Sequence, residues 1–356
     1  MIKRLYERLL LRPGDVPASR SEFEVIGVFN PGAARVGGEV VLLVRVAERP
    51  SETRSGFTGL PRWDCDLGLT VDWVADERLE FLDPRVVRLR DDGTLRLTFI
   101  SHLRVVRCGD GRSVREVTGV CLRPESEIEE YGVEDPRITP IDGRCWITYV
   151  TASRHGASTS LASTDDFAAF ERRGVIFCTE NKDVLLFPEQ VAGAYVALHR
   201  PNGAMAFTKP EIWLARSPDL LHWGRHEPLH AGRAAWETGK VGGGTPPVRV
   251  EGGWLTLYHG NRAPSRPGDV GAYAAGALLL DINDPARVLR RSTSPCFAPE
   301  AVFERNGFVP DVVFPTGIVA DGDRLLVYYG AADSHTAVVE FALDDVLATL
   351  HTGRSR

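Results

Sequence analysis

The stretch Tyr131-Gly132-Val133-Glu134-Asp135-Pro136-Arg137 sets two carboxylates side by side, locks the second to a proline and follows it with an arginine. A carboxylate fixed at one point of the backbone can pass a proton to or from a bound molecule, which is the requirement of general acid–base chemistry. Pro136 sets its own φ and biases Asp135 toward extended backbone, so the acid is expected to be aimed before any tertiary contact forms. Just beyond it, Asp142-Gly143 between two apolar stretches signals a hairpin turn, which puts Asp135 on the loop entering a hairpin. Alone, a Glu-Asp pair is more simply two solvated loop acids. The elements around it argue for more.

Five segments share one pattern: a proline-containing loop, an apolar strand, a turn, and a second apolar strand ending in a polar or aromatic residue. They run from Asn30-Pro31-Gly32 to Arg45, from Asp135-Pro136 to Tyr149, from Phe187-Pro188 to Arg200, from Thr245-Pro246-Pro247 to His259, and from Phe314-Pro315 to Tyr329. Their turns carry Gly37-Gly38, Asp142-Gly143, Ala192-Gly193, Gly252-Gly253 and Asp321-Gly322. The last four prolines are spaced by roughly 50 to 70 residues, about the length of a four-stranded propeller blade. The longer first interval implies an insertion. The pattern therefore predicts an all-β chain folded as a five-bladed β-propeller. It would be a single domain over residues 1–356, with an N-terminal extension and an insertion loop around 48–65 that forms a lid or wall of the site. A strand, a Ser-x-Asp turn and an aromatic recur after the second and third units, at Leu161 to Phe167 and Leu214 to Trp223, as an outer hairpin would. If the first hairpin of each unit is innermost, Asp135, Arg200, His259 and Tyr329 converge at one end of a central channel.

Bulk composition narrows the function. The chain has 356 residues, 43% of them hydrophobic, with 35 Gly and 23 Pro, so it can bury a large core built from short elements and is expected to lack long helices. Its net charge of -6 comes from interspersed acids and bases, which leaves no footprint for nucleic acid or an anionic membrane and favours a small polar substrate. The six cysteines form no Cys-x-x-Cys pair or Cys/His cluster of the kind zinc needs; they read as reduced core thiols, and no metal is expected. The first residues lack an uninterrupted apolar run, which fits a cytoplasmic protein. Leu5, Leu9 and Leu10 and the sheet edges are candidates for self-association into a homo-oligomer.

Four stretches taken in order, Glu134-Asp135-Pro136-Arg137, Asn181 to Glu189 with His199-Arg200-Pro201, Lys240 to Pro247 with Tyr258-His259-Gly260, and Tyr328 to Asp333, resemble glycoside hydrolase family 130, the β-mannoside phosphorylases and related mannosidases. The resemblance covers about Asn30 to Asp344 and implies a five-bladed propeller. It also implies inverting phosphorolysis, in which inorganic phosphate, a co-substrate rather than a cofactor, attacks a terminal β-mannosyl residue and releases α-mannose 1-phosphate. Asp135 matches the general acid, which delivers its proton through a sugar hydroxyl. Arg200, Lys240 and His259 match phosphate-contacting positions, with Tyr273 a further candidate on that side. Asn30 and Arg45 match positions near the mannosyl sugar, and Asp333 a carboxylate that bonds its hydroxyls. Some family members have another phosphate arginine beyond the first hairpin, where Arg49 and Arg54 both lie. Lys182, Asp183 and Glu189 are expected to be supporting residues.

Physics gives the basic set a reason. An inverting hydrolase needs a second carboxylate to activate water, whereas phosphate is already an anionic nucleophile and needs cationic donors to hold it in line. Two other readings stay open on sequence alone: a β-mannosidase using Glu134 or Asp333 as its second carboxylate, and a non-catalytic propeller that binds glycans.

Overall fold

In the strand Glu39–Pro50, Val40, Leu42, Val44 and Val46 point to one side and Val41 and Leu43 to the other, and all six are fully shielded from water. A strand covered on both faces reads as a continuous apolar run, as this one does. The even-numbered set packs with Leu326, Tyr328 and Val338, and the odd-numbered set with Ile138, Ile147 and Leu103. The computed structural model describes residues 1–203, 207–264, 266 and 268–352.

The described chain is all-β, with only short helices at Val302–Arg305 and Leu343–Ala348. It forms five antiparallel meanders. The first contains Phe23–Val36, Glu39–Pro50, Ile100–Cys108 and Val114–Leu122, and the second Gly132–Ile141, Arg144–Ser153, Gly156–Thr164 and Glu171–Phe177. A single parallel bridge, Gly132 to Ser101, joins these two. The third contains Asn181–Leu186, Tyr195–Pro201, Ile212–Ser217 and Gly224–His230. The fourth has a first strand in two pieces, Lys240–Gly243 and Val248–Val250, followed by Gly253–Asn261, Tyr273–Leu280 and Val288–Ser292, with Leu350–Thr352 added outside. The fifth contains Val313–Asp321, Arg324–Ala331 and His335–Ala342.

Each repeat read from the sequence falls on the first hairpin of one meander, but its proline is not in a loop ahead of the strand: Pro31, Pro136 and Pro315 lie within the first strand, Pro246 and Pro247 between its two pieces, and Pro188 just past it. At the second of these turns Asp142 and Gly143 have φ of 51° and 80°, the left-handed pair a two-residue hairpin needs. Apolar cores lie between consecutive meanders. The core between fourth and fifth contains Leu255, Leu279, Val327 and Val339, and the one between fifth and first contains Val28, Leu42, Leu326 and Val338. At about 1.5–3 kcal/mol for each large side chain buried, these cores carry the fold.

Two segments differ from expectation. Residues 6–11 are not an extension: Tyr6–Leu11 is the outer strand of the fifth meander, paired antiparallel with His335–Ala342, and Leu11 is buried while Leu10 packs on the same core. The insertion is longer than 48–65 and is not a loop. Phe57–Asp64 and Gly68–Ala75 form a hairpin, and Leu79–Asp83, Val86–Leu89 and Leu95–Leu97 a three-stranded sheet. Leu60, Leu79 and Val87 give it a small core of its own, an alternation hidden by the prolines and arginines around it. Of the cysteines, only Cys108, Cys145 and Cys296 are buried; Cys65 and Cys178 are exposed and Cys121 is half-buried.

Arg4 fastens the N-terminal segment. Its guanidinium donates to both carboxylate oxygens of the fully buried Glu304, at 2.8 and 3.2 Å, and that carboxylate also accepts from the hydroxyl of Tyr329 at 2.7 Å. Removing one partner of a buried pair leaves the other charge uncompensated. Arg4→Ala is therefore expected to lower unfolding free energy by about 3–5 kcal/mol in a denaturant titration, and Arg4→Lys to restore part of it.

Candidate active site

Asp135 is not in extended backbone. Its φ is 48°, and the same left-handed value occurs at Asn30, 50°, and Asp183, 58°. In each case the residue begins a two-for-one bulge in the first strand of its meander. Residues 30–31 lie between the pairs Phe29–Arg45 and Gly32–Leu43, 135–136 between Glu134–Val150 and Arg137–Thr148, and 183–184 between Lys182–Arg200 and Leu185–Leu198. Asn and Asp tolerate this region because their short polar side chains bond locally, and a bulge re-aims the side chain it carries. One backbone device in three meanders thus turns Asn30, Asp135 and Asp183 into a common pocket. Arg45 and Arg200 occupy matching places on the second strands, each opposite the residue preceding the bulge.

The pocket, about 240 Å³, is lined by Asn30, Arg45, Asp135, Arg200, Lys240, His259, Tyr273 and Asp333 together, the whole set singled out from the sequence. Glu134, Lys182, Asp183 and Arg85 join them, with Phe29, Phe99, Phe308 and Phe314 as an apolar wall. Asp135 accepts from Asn30 Nδ2 at 2.8 Å and Arg45 Nη1 at 2.9 Å through one oxygen, Oδ1. Burial pushes its carboxyl up, but Arg45, Arg137, the Asn30 bond and Lys182 outweigh burial and hold it below the usual carboxylate range. Arg45 also donates to Glu134 at 2.7 Å and to Ser101 at 3.1 Å and lies over Phe29, so its position is fully determined.

Opposite stands a second group of charges. Asp183 Oδ2 accepts from Arg200 Nε at 2.7 Å and lies 3.4 Å from His259 Nε2, while Oδ1 accepts from Arg137 at 3.2 Å. The glycines before it are spacers: a Cβ on Gly242 would meet Asp183 at 2.3 Å and the His259 ring at 2.6 Å. Burial, only partly offset by Asp183, pushes His259 down to about 3, so its imidazole is neutral. Lys240 falls to about 7, through burial first and then crowding by Arg200, Arg85 and Lys182. Its ammonium sits 5.5 Å from the centre of the Tyr273 ring and has no carboxylate in salt-bridge range among the described residues. Asp333, at a turn with φ of 46°, is pushed up by burial and by Asp135 and Glu134, against the pull of Arg85 and Arg45.

Three expectations change. Neither Arg49 nor Arg54 reaches the pocket; they pair on the surface with Glu24 and Glu52. The arginine that does is Arg85, held by Asp83 at 2.9 Å and 4.0 Å from Asp333, carried in by the insertion. No sequence signal marks it, because the insertion expected from the sequence ends at residue 65 and the strands that position Arg85 lie beyond it. Tyr329 faces the core and bonds Glu304 instead. Glu189 lies on the surface with Arg249, whereas Lys182 lines the pocket, 3.8 Å from Glu134.

A family model described as beta-1,4-mannooligosaccharide phosphorylase, Glyco_hydro_130, matches residues 73–352. The chain belongs to glycoside hydrolase family 130. It is an enzyme of that family. Beta-1,2-mannobiose phosphorylase of Listeria innocua is 39% identical over 98% of each chain. The structure of that protein with β-1,2-mannobiose superposes on this one with a TM-score of 0.89, covering 96% of each chain. Beta-1,4-mannooligosaccharide phosphorylase of Ruminococcus albus is 32% identical over 62% of this chain and 66% of its own.

In this family 130 enzyme Asp183 is the charge that keeps Arg137, Arg200 and His259 in register. Asp183→Asn would leave two buried guanidiniums short of a counter-charge. It is expected to lower stability by about 3–5 kcal/mol in denaturant titration, and to weaken binding of anions at the pocket as read by calorimetry.

Proposed function

We propose that this enzyme is a β-mannoside phosphorylase that transfers a terminal β-mannosyl residue to inorganic phosphate with inversion, β-1,2-mannobiose being the first substrate to test. The observation that carries the reading is the cationic group formed by Arg200, Lys240, Lys182 and Arg85 at one pocket, where burial first and then this crowding bring Lys240 to about 7. Like charges gathered in a pocket are stabilised by a bound anion, and phosphate supplies one. The β-1,2 linkage rests on the near full-length likeness to the Listeria enzyme. Five meanders with five intervening cores support a five-bladed β-propeller with the pocket at one end of its axis.

In the proposed reaction, Asn30, Arg45 and Asp333 position the mannosyl ring against Phe29 and Phe99. Arg200, Lys240 and Tyr273 hold phosphate, with Arg85 and Lys182 beside it and His259 closing the floor. A phosphate oxygen forms a bond to the anomeric carbon from the α face as the glycosidic bond breaks. The departing oxygen takes a proton that originates on Asp135 and passes through a sugar hydroxyl, giving α-mannose 1-phosphate and the free acceptor sugar. No resident cofactor takes part. Glu134, fixed by Arg45 and Lys182, is poorly placed to act as the base a hydrolase needs.

The purified enzyme incubated with β-1,2- and β-1,4-linked mannosides is expected to make mannose 1-phosphate only when phosphate is present; free mannose in its absence would mark a hydrolase. Asp135→Asn is expected to reduce turnover by about 10²–10⁴-fold while circular dichroism still shows the folded β structure.

Lys240 gives a pH signature. Its ammonium loses its proton as pH rises through about 7, so the phosphate site loses one positive charge on the alkaline side. Apparent phosphate affinity, read as kcat/KM for phosphate, is expected to fall by up to about tenfold per pH unit above that point. Lys240→Arg, whose charge does not titrate there, is expected to flatten that limb; the ionisation of phosphate itself is common to both proteins.

A further inference from the structure

Away from the pocket, three chemically matched side chains form a row across one face of the first meander. Glu48 is on the second strand, His102 on the third and Cys121 on the outermost. Val46 pairs with His102 and Arg104 with Cys121, so alternation places Glu48, His102 and Cys121 on the same face. Glu48 is 1% exposed and is fixed by the backbone and hydroxyl of Ser19, the latter at 2.6 Å. Its Oε2 lies 3.5 Å from His102 Nδ1. His102 is 4% exposed; with Nδ1 facing Glu48 on the second strand, its other nitrogen, Nε2, has no hydrogen-bond partner among the described residues and lies on the side of the outermost strand, where Cys121 stands. The Cys121 side chain stands at the open edge, where Sγ also approaches the Gly119 carbonyl at 3.6 Å.

This is the order nucleophilic chemistry uses: a thiol, an imidazole to take its proton, and a carboxylate to orient the imidazole. We propose that Cys121 is a reactive thiol that reduces hydroperoxides, with His102 taking its proton and Glu48 orienting the imidazole. In that step the sulfur attacks the outer peroxide oxygen, an S–O bond forms and the O–O bond breaks. The sulfur is oxidised to a sulfenic acid, and the leaving oxygen takes the His102 proton to depart as water or alcohol. Burial pushes the Cys121 thiol up, but His102, Arg104 and Arg123 bring it below its ordinary range. Burial pushes His102 down, but Cys121 and Glu48 bring it above its own.

The test uses the intact protein, with the exposed Cys65 and Cys178 as references in the same molecules. At pH 6.5 iodoacetamide is expected to label Cys121 at least about tenfold faster than Cys65 by peptide mass spectrometry, since only the thiolate reacts. Hydrogen peroxide followed by a 1,3-dione is expected to leave an adduct at Cys121 and not at the references. His102→Gln and, independently, Glu48→Gln are expected to slow labelling. Labelling of Cys121 no faster than Cys65 would overturn the thiolate. Fast alkylation without a dione adduct would overturn the peroxide step, and labelling unchanged in both variants would overturn the part given to His102 and Glu48.

Discussion

A guanidinium and a carboxylate with almost no access to water, Arg137 and Asp183, meet where three meanders come together. Arg137 is 1% exposed and donates to Asp183, to the carbonyl of Asp135 at 2.9 Å, and to the carbonyls of Gly243 and Gly244. Charges buried this deeply are tolerated only when every donor and acceptor is matched. The matching dictates much of the site. Gly242 and Gly243 lack side chains because Asp183 occupies their space, and Arg200 is aimed by the oxygen that Arg137 leaves open. The backbone of the catalytic candidate is thereby tied to the residue that orients the cationic side.

The left-handed bulges supply the rest of the geometry. Asn30, Asp135 and Asp183 are each displaced from regular pairing at the same point of three repeats, and each then serves a neighbour: Asn30 bonds Asp135, and Asp183 bonds Arg200 and Arg137. Close approach continues at Gly330, where a Cβ would come within 1.9 Å of Asn30 Oδ1. A repeated strain of this kind persists because surrounding contacts over-determine it, and it sits where positioning matters most.

Much of this was legible in the sequence, for stated reasons. Tight hairpins demand Gly or Asp-Gly, so the five first hairpins stand out in the sequence, and their recurrence alone brings Asp135, Arg200 and His259 to one end. Continuous runs such as Val40 to Val44 marked strands buried on both faces. Other features had no local signal. The conformation of Asp135 was misread because proline's bias on its predecessor is weak against a bulge set by two flanking strands. Arg85 carries no local signal because its place depends on a small sheet whose core is three residues, and Tyr329 lies away from the pocket because a position at a strand end does not fix which face its side chain takes. The closing of the fifth meander by residues 6–11 joins the two ends of the chain, a pairing no short-range pattern encodes.

The electrostatics of the pocket bear on the proposed chemistry. A general acid must carry a proton, yet Arg45, Arg137 and Lys182 hold Asp135 below the ordinary carboxylate range, while Lys240 opposite is drawn down to about 7. Both shifts come in part from the same excess of positive charge. A dianion entering beside Arg200, Lys240 and Lys182 offsets that excess, which raises the proton affinity of Asp135 and of Lys240 together. In the proposed reaction the nucleophile would thus prepare the acid that assists it: without phosphate Asp135 stays ionised and the glycosidic bond has no proton donor. Water, being neutral, gives no such compensation. In the proposed reaction the basic set would therefore do more than hold phosphate: the same charges would suppress the acid until phosphate arrives, which would select against hydrolysis without any dedicated barrier to water.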